Sequence, residues 1–186
     1  EGIAFADDTV WITNDRDGTV MSIDPSTNEA GRAIDVGLGP RGVAADGGDV
    51  WATSYIEKAV THVDVATGKT AEIEVDQGGE DVTVAFGKVW AAATIDGTLA
   101  VIDPATDEVL KKIPVGPGVI DVVAEGDYLW AINNLDGTLS AIDPESYDIL
   151  ETIDVGSSPR QIAAGDGVLW VTNEGDLSVT RIALAG

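Results

Sequence analysis

Three regularities predict an all-β repeat fold. The five tryptophans stand at Trp11, Trp51, Trp90, Trp130 and Trp170, spaced by 40, 39, 40 and 40 residues. Between them run short β-branched stretches with period-two alternation, bounded by Gly, Asp and Pro, which is strand patterning with turn punctuation. The stretch LWAINNLDGTLSAIDPESYDILETIDVG, residues 129–156, shows the whole unit, and four other stretches are variants of it. A period near 40 made of short strands marks a stacked or radial array, and four-stranded antiparallel units of that length match propeller blades. The expected fold is therefore an all-β β-propeller of about five four-stranded antiparallel blades of ~40 residues, the last lacking its outer strand. The 186 residues then form a single propeller domain or a propeller fragment, with repeats 1–39, 40–78, 79–118, 119–158 and 159–186.

Each unit divides into strands at its turn residues. Unit one gives Ile3–Ala6, Val10–Asn14, Thr19–Ile23 and Arg32–Val36; unit two gives Gly42–Ala45, Val50–Ser54, Ala59–Val63 and Thr70–Val75. Unit three gives Val82–Phe86, Val89–Ala93, Thr98–Ile102 and Val109–Val115. Unit four gives Asp121–Ala124, Leu129–Asn133, Thr138–Ile142 and Ile149–Val155, and unit five gives Gln161–Ala164, Leu169–Asn173 and Ser178–Ala183. Asp17-Gly18, Asp96-Gly97 and Asp136-Gly137 separate second from third strands, where a tight hairpin needs positive φ. Asp24-Pro25, Asp103-Pro104 and Asp143-Pro144 close third strands, since proline cannot continue a central ladder and Asp bonds the backbone two residues on. Unit two keeps Asp64 but has Val65. No sustained helical period interrupts the array.

Ten Lys+Arg against 33 Asp+Glu give a formal charge of −23. Such a field repels nucleic acid and anionic membranes and attracts cations or basic partners. The acids are scattered over the chain, as on a solvated surface. There is no cysteine, which excludes a disulfide framework and thiolate chemistry. No apolar run reaches the ~18 residues of a membrane span.

The strings VWITN, LWAINN and LWVTN, followed by DGT-apolar-x-apolar-IDP and then IxVG, resemble YVTN-type β-propeller repeats. The chain is similar in particular to virginiamycin B lyase-like and YncE-like propellers, and to extracellular sensor propellers of bacterial Ser/Thr kinases. That resemblance implies an exported, extracellular or cell-surface protein. Unit five departs from the pattern: Ala183 stands where Asp143 closes the third strand of unit four, and Glu1 begins directly at an inner strand. A three-stranded last blade, residues missing from one end, or a strand from another chain would each account for this; the last would make an oligomer.

One tryptophan at the same place in every unit is expected to pack between neighbouring blades. Recognition is expected on the loops gathered at one end of the central channel. Candidates just before or at the start of inner strands are Arg41, Glu80, Asp81, Asp121, Arg160 and Gln161; those in and before the second-to-third turns are Asn14, Asp15, Arg16, Tyr55, Asn133, Asn134, Asn173 and Glu174. Arg41, Glu80, Ile120 and Arg160 share one repeat position, with Glu1 as the fifth. The opposing reading is a polar mouth of water and local ion pairs. Glu80, Asp81 and Asp121 could together hold a divalent cation through oxygen ligands. Asp15-x-Asp17-Gly18 lacks the downstream acidic ligand of a calcium loop and is expected to be an ordinary turn.

His62 is the only histidine. Lyases of the resembling family are expected to use histidine beside a metal, but His62 sits on a third strand away from the mouth, so lyase activity is not carried over. The sequence thus suggests a non-enzymatic binding or sensor propeller with no obligatory cofactor, taking a protein, peptide or glycan. The alternatives are a metal-assisted lyase- or lactonase-like enzyme at the acidic mouth, and a structural oligomer made by strand exchange.

Overall fold

The computed structural model describes residues 2–184, and Glu1, Ala185 and Gly186 lie outside it. All regular structure among these residues is strand. The first sheet runs β1 (Ile3–Ala6), β2 (Thr9–Asn14), β3 (Thr19–Asp24), β4 (Glu29–Asp35), and the second β5 (Pro40–Asp46), β6 (Asp49–Ser54), β7 (Ala59–Asp64), β8 (Lys69–Glu74). The third comprises β9 (Gly79–Ala85), β10 (Lys88–Ala93), β11 (Thr98–Ile102) and β12 (Val109–Pro114). The fourth comprises β13 (Val119–Glu125), β14 (Tyr128–Asn133), β15 (Thr138–Ile142) and β16 (Ile149–Asp154). The fifth has three strands among the described residues, β17 (Pro159–Gly165), β18 (Val168–Asn173) and β19 (Ser178–Ala183). Every sheet is an antiparallel meander in chain order.

Turn chemistry works as the residues predict. Gly18, Gly97 and Gly137 have φ of 67°, 68° and 69°, a conformation that only glycine adopts without strain. Asp24, Asp103 and Asp143 each accept, through Oδ1, a hydrogen bond from the amide two residues on, all at 2.8 Å. Asp64 manages without proline because Thr67 donates both its amide and its hydroxyl, at 3.0 and 2.7 Å.

Inner strands differ from the sequence expectation in one informative way. They begin two or three residues earlier, at Pro40, Gly79, Val119 and Pro159. In each, the register against the second strand slips near its start: Gly79 faces Ala93 but Asp81 faces Ala92, Val119 faces Asn133 but Asp121 faces Ile132, and Pro159 faces Asn173 but Gln161 faces Thr172. The second sheet slips in the same place, between Pro40 and Val43. An inserted residue breaks the alternation, so a pattern search starts the strand only after it.

Consecutive sheets pack through their inner strands, β1 on β5, β5 on β9, β9 on β13 and β13 on β17; β1 and β17 share no comparable packing. The core lies between sheets. Trp51, Val60 and Ile73 meet Val82, Val89, Ala91 and Ile102 of the next sheet, and Trp90 with Leu99 meets Val122, Leu129 and Ile142 of the one after. Trp11, Trp51, Trp90 and Trp130 are 6%, 2%, 0% and 4% exposed, so four of the five pack as expected. Trp170 does not, at 47%, because among the described residues no sheet packs on its face.

Candidate functional site

The bulges position the site. The residues they insert are Glu80, Ile120 and Arg160, with Arg41 at the matching place in the second sheet. A bulge turns a side chain out of the ladder's alternation, and here all four line one depression of about 380 Å³ at the end where the inner strands start. Gly2, Ile3, Asp15, Gly42, Asp81, Asp121 and Gln161 complete its wall. Of the sequence candidates, Arg41, Glu80, Asp81, Asp121, Arg160, Gln161 and Asp15 are thus brought together.

The charged groups are held in reciprocal arrangements. Arg41 Nη1 donates to both carboxylate oxygens of Glu80, at 2.8 and 2.9 Å, and its guanidinium lies 4.0 Å from the centre of the Tyr55 ring. Tyr55 therefore acts beneath Arg41, without lining the depression itself. Asp81 Oδ2 accepts from the Val122 amide at 3.0 Å and Asp121 Oδ2 from the Ile162 amide at 2.8 Å, so each carboxyl ties its inner strand to the next. Burial pushes the Asp81 carboxyl well above the usual range, and the neighbouring Asp121 charge pushes it further. Burial also raises Asp121, against the Ile162 amide, which favours its charge. Asp81 and Asp121 influence each other's titration, so the proton that the folded chain retains belongs to the pair.

Gly2, Gly42, Asp81, Asp121 and Gln161 each stand nine residues before a tryptophan. That register was available in the sequence, yet Gly2 and Gly42 carry no polar signal and were missed. Gly42 is required by close approach: a Cβ there would lie 2.7 Å from Asp81 Cα.

Six candidates lie elsewhere. Asn133 and Asn173 are 2% and 1% exposed. Their amides bond inward, Asn133 Nδ2 to Thr138 and Ser140, and Asn173 Nδ2 to Ser178 and Thr180. Each staples its own second-to-third hairpin, because a strand-final asparagine facing the preceding sheet finds hydroxyls on the paired strand. Asn14 bonds Thr19 in the same manner, at 3.1 Å. Asn134 donates to the Pro159 carbonyl at 2.8 Å, and Arg16 and Glu174 are exposed on turns. Asp17 belongs to an ordinary turn, its amide bonded to the Asn14 carbonyl.

Two of the proposed cation ligands already have partners, Glu80 in Arg41 and Asp81 in the Val122 amide. Among the described residues no group of three acidic or histidine side chains has metal-binding geometry. His62 lies away from the depression, stacked on Trp51 with ring centres 5.0 Å apart. Its Nδ1 is 2.9 Å from Asp107 and its Nε2 3.1 Å from Asp49, so it links the second and third sheets.

The second-to-third turns at this end also carry exposed apolar residues, which a reading for polar loops passes over. Ile56, Ile95 and Leu135 each follow a tryptophan by five residues and are 61%, 54% and 74% exposed, with Leu38 nearby at 59%. Hydrophobic residues in turns read as noise singly; their common register is the signal.

No family model matches the sequence, and no curated protein is similar to it. Solved structures are similar in fold. Hydrazine synthase from Kuenenia stuttgartiensis superposes with a TM-score of 0.84 at 21% identity, over 92% of this chain and 54% of that one. A catalytically inactive virginiamycin B lyase from Staphylococcus aureus, solved with quinupristin, gives 0.84 at 19%, over 96% and 64%. A streptogramin B lyase gives 0.66 at 16%, over 100% and 83%. The fold is therefore of the β-propeller class. The chain spans between half and two thirds of the length of the first two.

Proposed function

We propose that this chain is a propeller of YVTN-type repeats that binds a protein or peptide, non-enzymatically, on the face around its mouth. The observation that carries this reading is the exposed apolar residues Ile56, Ile95 and Leu135 on turns at the same end of the sheets as the charged depression. A contact surface for a macromolecule combines exposed apolar anchors with oriented polar groups, whereas a small-molecule site is an enclosed apolar cavity. The formal charge of −23 favours a basic segment and predicts association that slows with salt. Placement at the cell surface is part of the proposal.

The test uses pools of Lys/Arg-rich peptides with apolar anchors, beside an oligosaccharide array, read by calorimetry. Ile95→Ser with Leu135→Ser is expected to weaken peptide capture tenfold or more, as for truncated interface anchors, while the melting temperature holds. Arg41→Met is expected to cost about 1 kcal/mol of stability or less and to weaken capture through the loss of the oriented Arg41–Glu80 pair. Capture of oligosaccharides in preference to peptides, or capture indifferent to both substitutions, would overturn the reading.

A second reading has one observation behind it. Asp81 holds a proton above the ordinary carboxyl range within the mouth, and two solved neighbours are named lyases. Were the site catalytic, Asp81→Asn would abolish turnover of quinupristin, the compound present with one of those neighbours; absence of any turnover in the unaltered protein dismisses it.

A further inference from the structure

We propose that the two grooves flanking Leu135 form a bipartite subsite of the mouth face, taking an apolar side chain in the first groove and an arginine of the same peptide in the second. This rests on the peptide-binding reading above and names the residue types that reading leaves open.

A repeated latch singles out the place. The amides of Leu38, Gln77 and Ser157 each donate to a carboxylate nineteen residues further on, Glu57, Asp96 and Asp176 respectively. Each bond ties the loop entering a sheet to that sheet's second-to-third turn. In the fourth sheet the matching residues are Pro117 and Asp136, and proline has no N–H to give. The β14–β15 turn therefore keeps a carboxylate that its three counterparts have committed to the backbone.

The two grooves differ in chemistry. Each has a volume of about 410 Å³. The first is walled by Ile95, Pro114, Val115, Pro117 and Leu135, and its single carboxylate, Asp96, is the one that Gln77 holds at 2.8 Å. The second is walled by Asn134, Leu135, Asp136, Asp154 and Ser157. Pro114 is an exception in its own register: it pairs with Thr98, where Asp35, Glu74 and Asp154 pair with Thr19, Ala59 and Thr138. Two prolines thus make the first groove apolar, and one of them also leaves Asp136 open in the second. Asp136 and Asp154 are both exposed, and among the described residues neither enters an ion pair. Leu135, 74% exposed, belongs to both walls.

Charge selects the occupant. Carboxylates without partners beside an apolar wall suit a guanidinium, whose fork donates parallel N–H groups and whose stem lies along apolar surface. The formal −23 of the chain adds to the attraction and turns away anions. Because the grooves share Leu135, the apolar side chain and the arginine belong to one short segment.

The test is calorimetry with short Gly/Ser peptides that carry one Leu and one Arg at every spacing, beside the same peptides with citrulline, a neutral isostere, in place of Arg. Expected is capture favoured at one spacing and weakened about tenfold by citrulline, as for a lost interface anchor. Asp136→Asn with Asp154→Asn keeps a residue suited to the hairpin turn before Gly137. It is expected to bring arginine capture down to the citrulline level and to leave the citrulline peptide unmoved. Pro117→Ser places in the loop the residue found at Ser157, returns an amide to Asp136 and leaves the net charge unchanged. A several-fold loss confined to the arginine peptide is expected. Asp166→Asn, in the β17–β18 turn at the other end, removes a charge without touching either groove and should change neither peptide. Unchanged melting temperatures report that the variants fold; should Pro117→Ser fold poorly, the asparagine pair decides. A citrulline penalty that persists in the asparagine pair would overturn the proposal and leave peptide binding at the mouth standing. Capture with no preference for Leu or Arg would do the same. Capture of no peptide at all would remove it together with the reading it rests on.

Discussion

Asp81→Asn is expected to stabilise the protein at neutral pH and to flatten its pH dependence. The Asp81 carboxyl is raised by burial first and by the Asp121 charge second, and burial raises Asp121 too. The folded chain therefore keeps a proton that the unfolded chain has released. Stability from this pair is fully present below the ordinary carboxyl value and is lost as pH rises through the raised one. Asparagine is neutral throughout. Its carbonyl still accepts from Val122. Chemical denaturation from about pH 4 to about pH 7, spanning the ordinary Asp value upward, should show the unaltered protein losing ground to the variant. Asp24, Asp64 and Asp143 act oppositely: their hydrogen bonds from Ser26, Thr67 and Ser146 lower them, so they lose stability only as pH falls below the ordinary value. They are common to both proteins and cancel in the difference. Parallel pH profiles would show that the two carboxyls do not share a proton.

Asp81→Leu separates the latch from the charge. It removes the acceptor of the Val122 amide, and an orphaned buried donor costs about 1–3 kcal/mol. A leucine variant as stable as the asparagine one would mean that Val122 finds another partner, and that the carboxyl is not what ties β9 to β13.

Strands, turns and the interval between blades were legible in the chain because each is a local signal. Alternation, Asp-Gly hairpins and Asp-Pro closures act within a few residues, and the tryptophan register merely repeats them. The mouth was half legible. Arg41, Glu80, Asp81, Asp121, Arg160 and Gln161 stand out as polar residues before inner strands, and the bulges that aim four positions inward begin at those same places. The asparagines were misplaced for a physical reason. A polar residue at a strand end suggests solvent, but Asn133 and Asn173 face the neighbouring sheet and donate through Nδ2 to hydroxyls on the paired strand. Ile56, Ile95 and Leu135 were overlooked because apolar turn residues are informative only when their repeat register is compared. Edge exposure was the least legible, since Trp170 sits in the same local sequence as its four buried counterparts.

That last difference has an energetic consequence. Trp90→Ala is expected to cost about 3–5 kcal/mol, the range for emptying a buried aromatic site. Trp90 is fully buried, and its indole N–H donates to the Ala85 carbonyl at 3.0 Å. Trp170→Ala, in the same repeat position, is expected to cost only about 1 kcal/mol, from a half-buried ring and its contact with Arg181. Urea denaturation with unchanged slope would measure both. The two values differ because cover comes from the next blade and not from the residue's own sheet. If Trp170→Ala instead destabilises the 186-residue chain as much as Trp90→Ala does, its indole is already covered in solution, and the fifth sheet is not an open end.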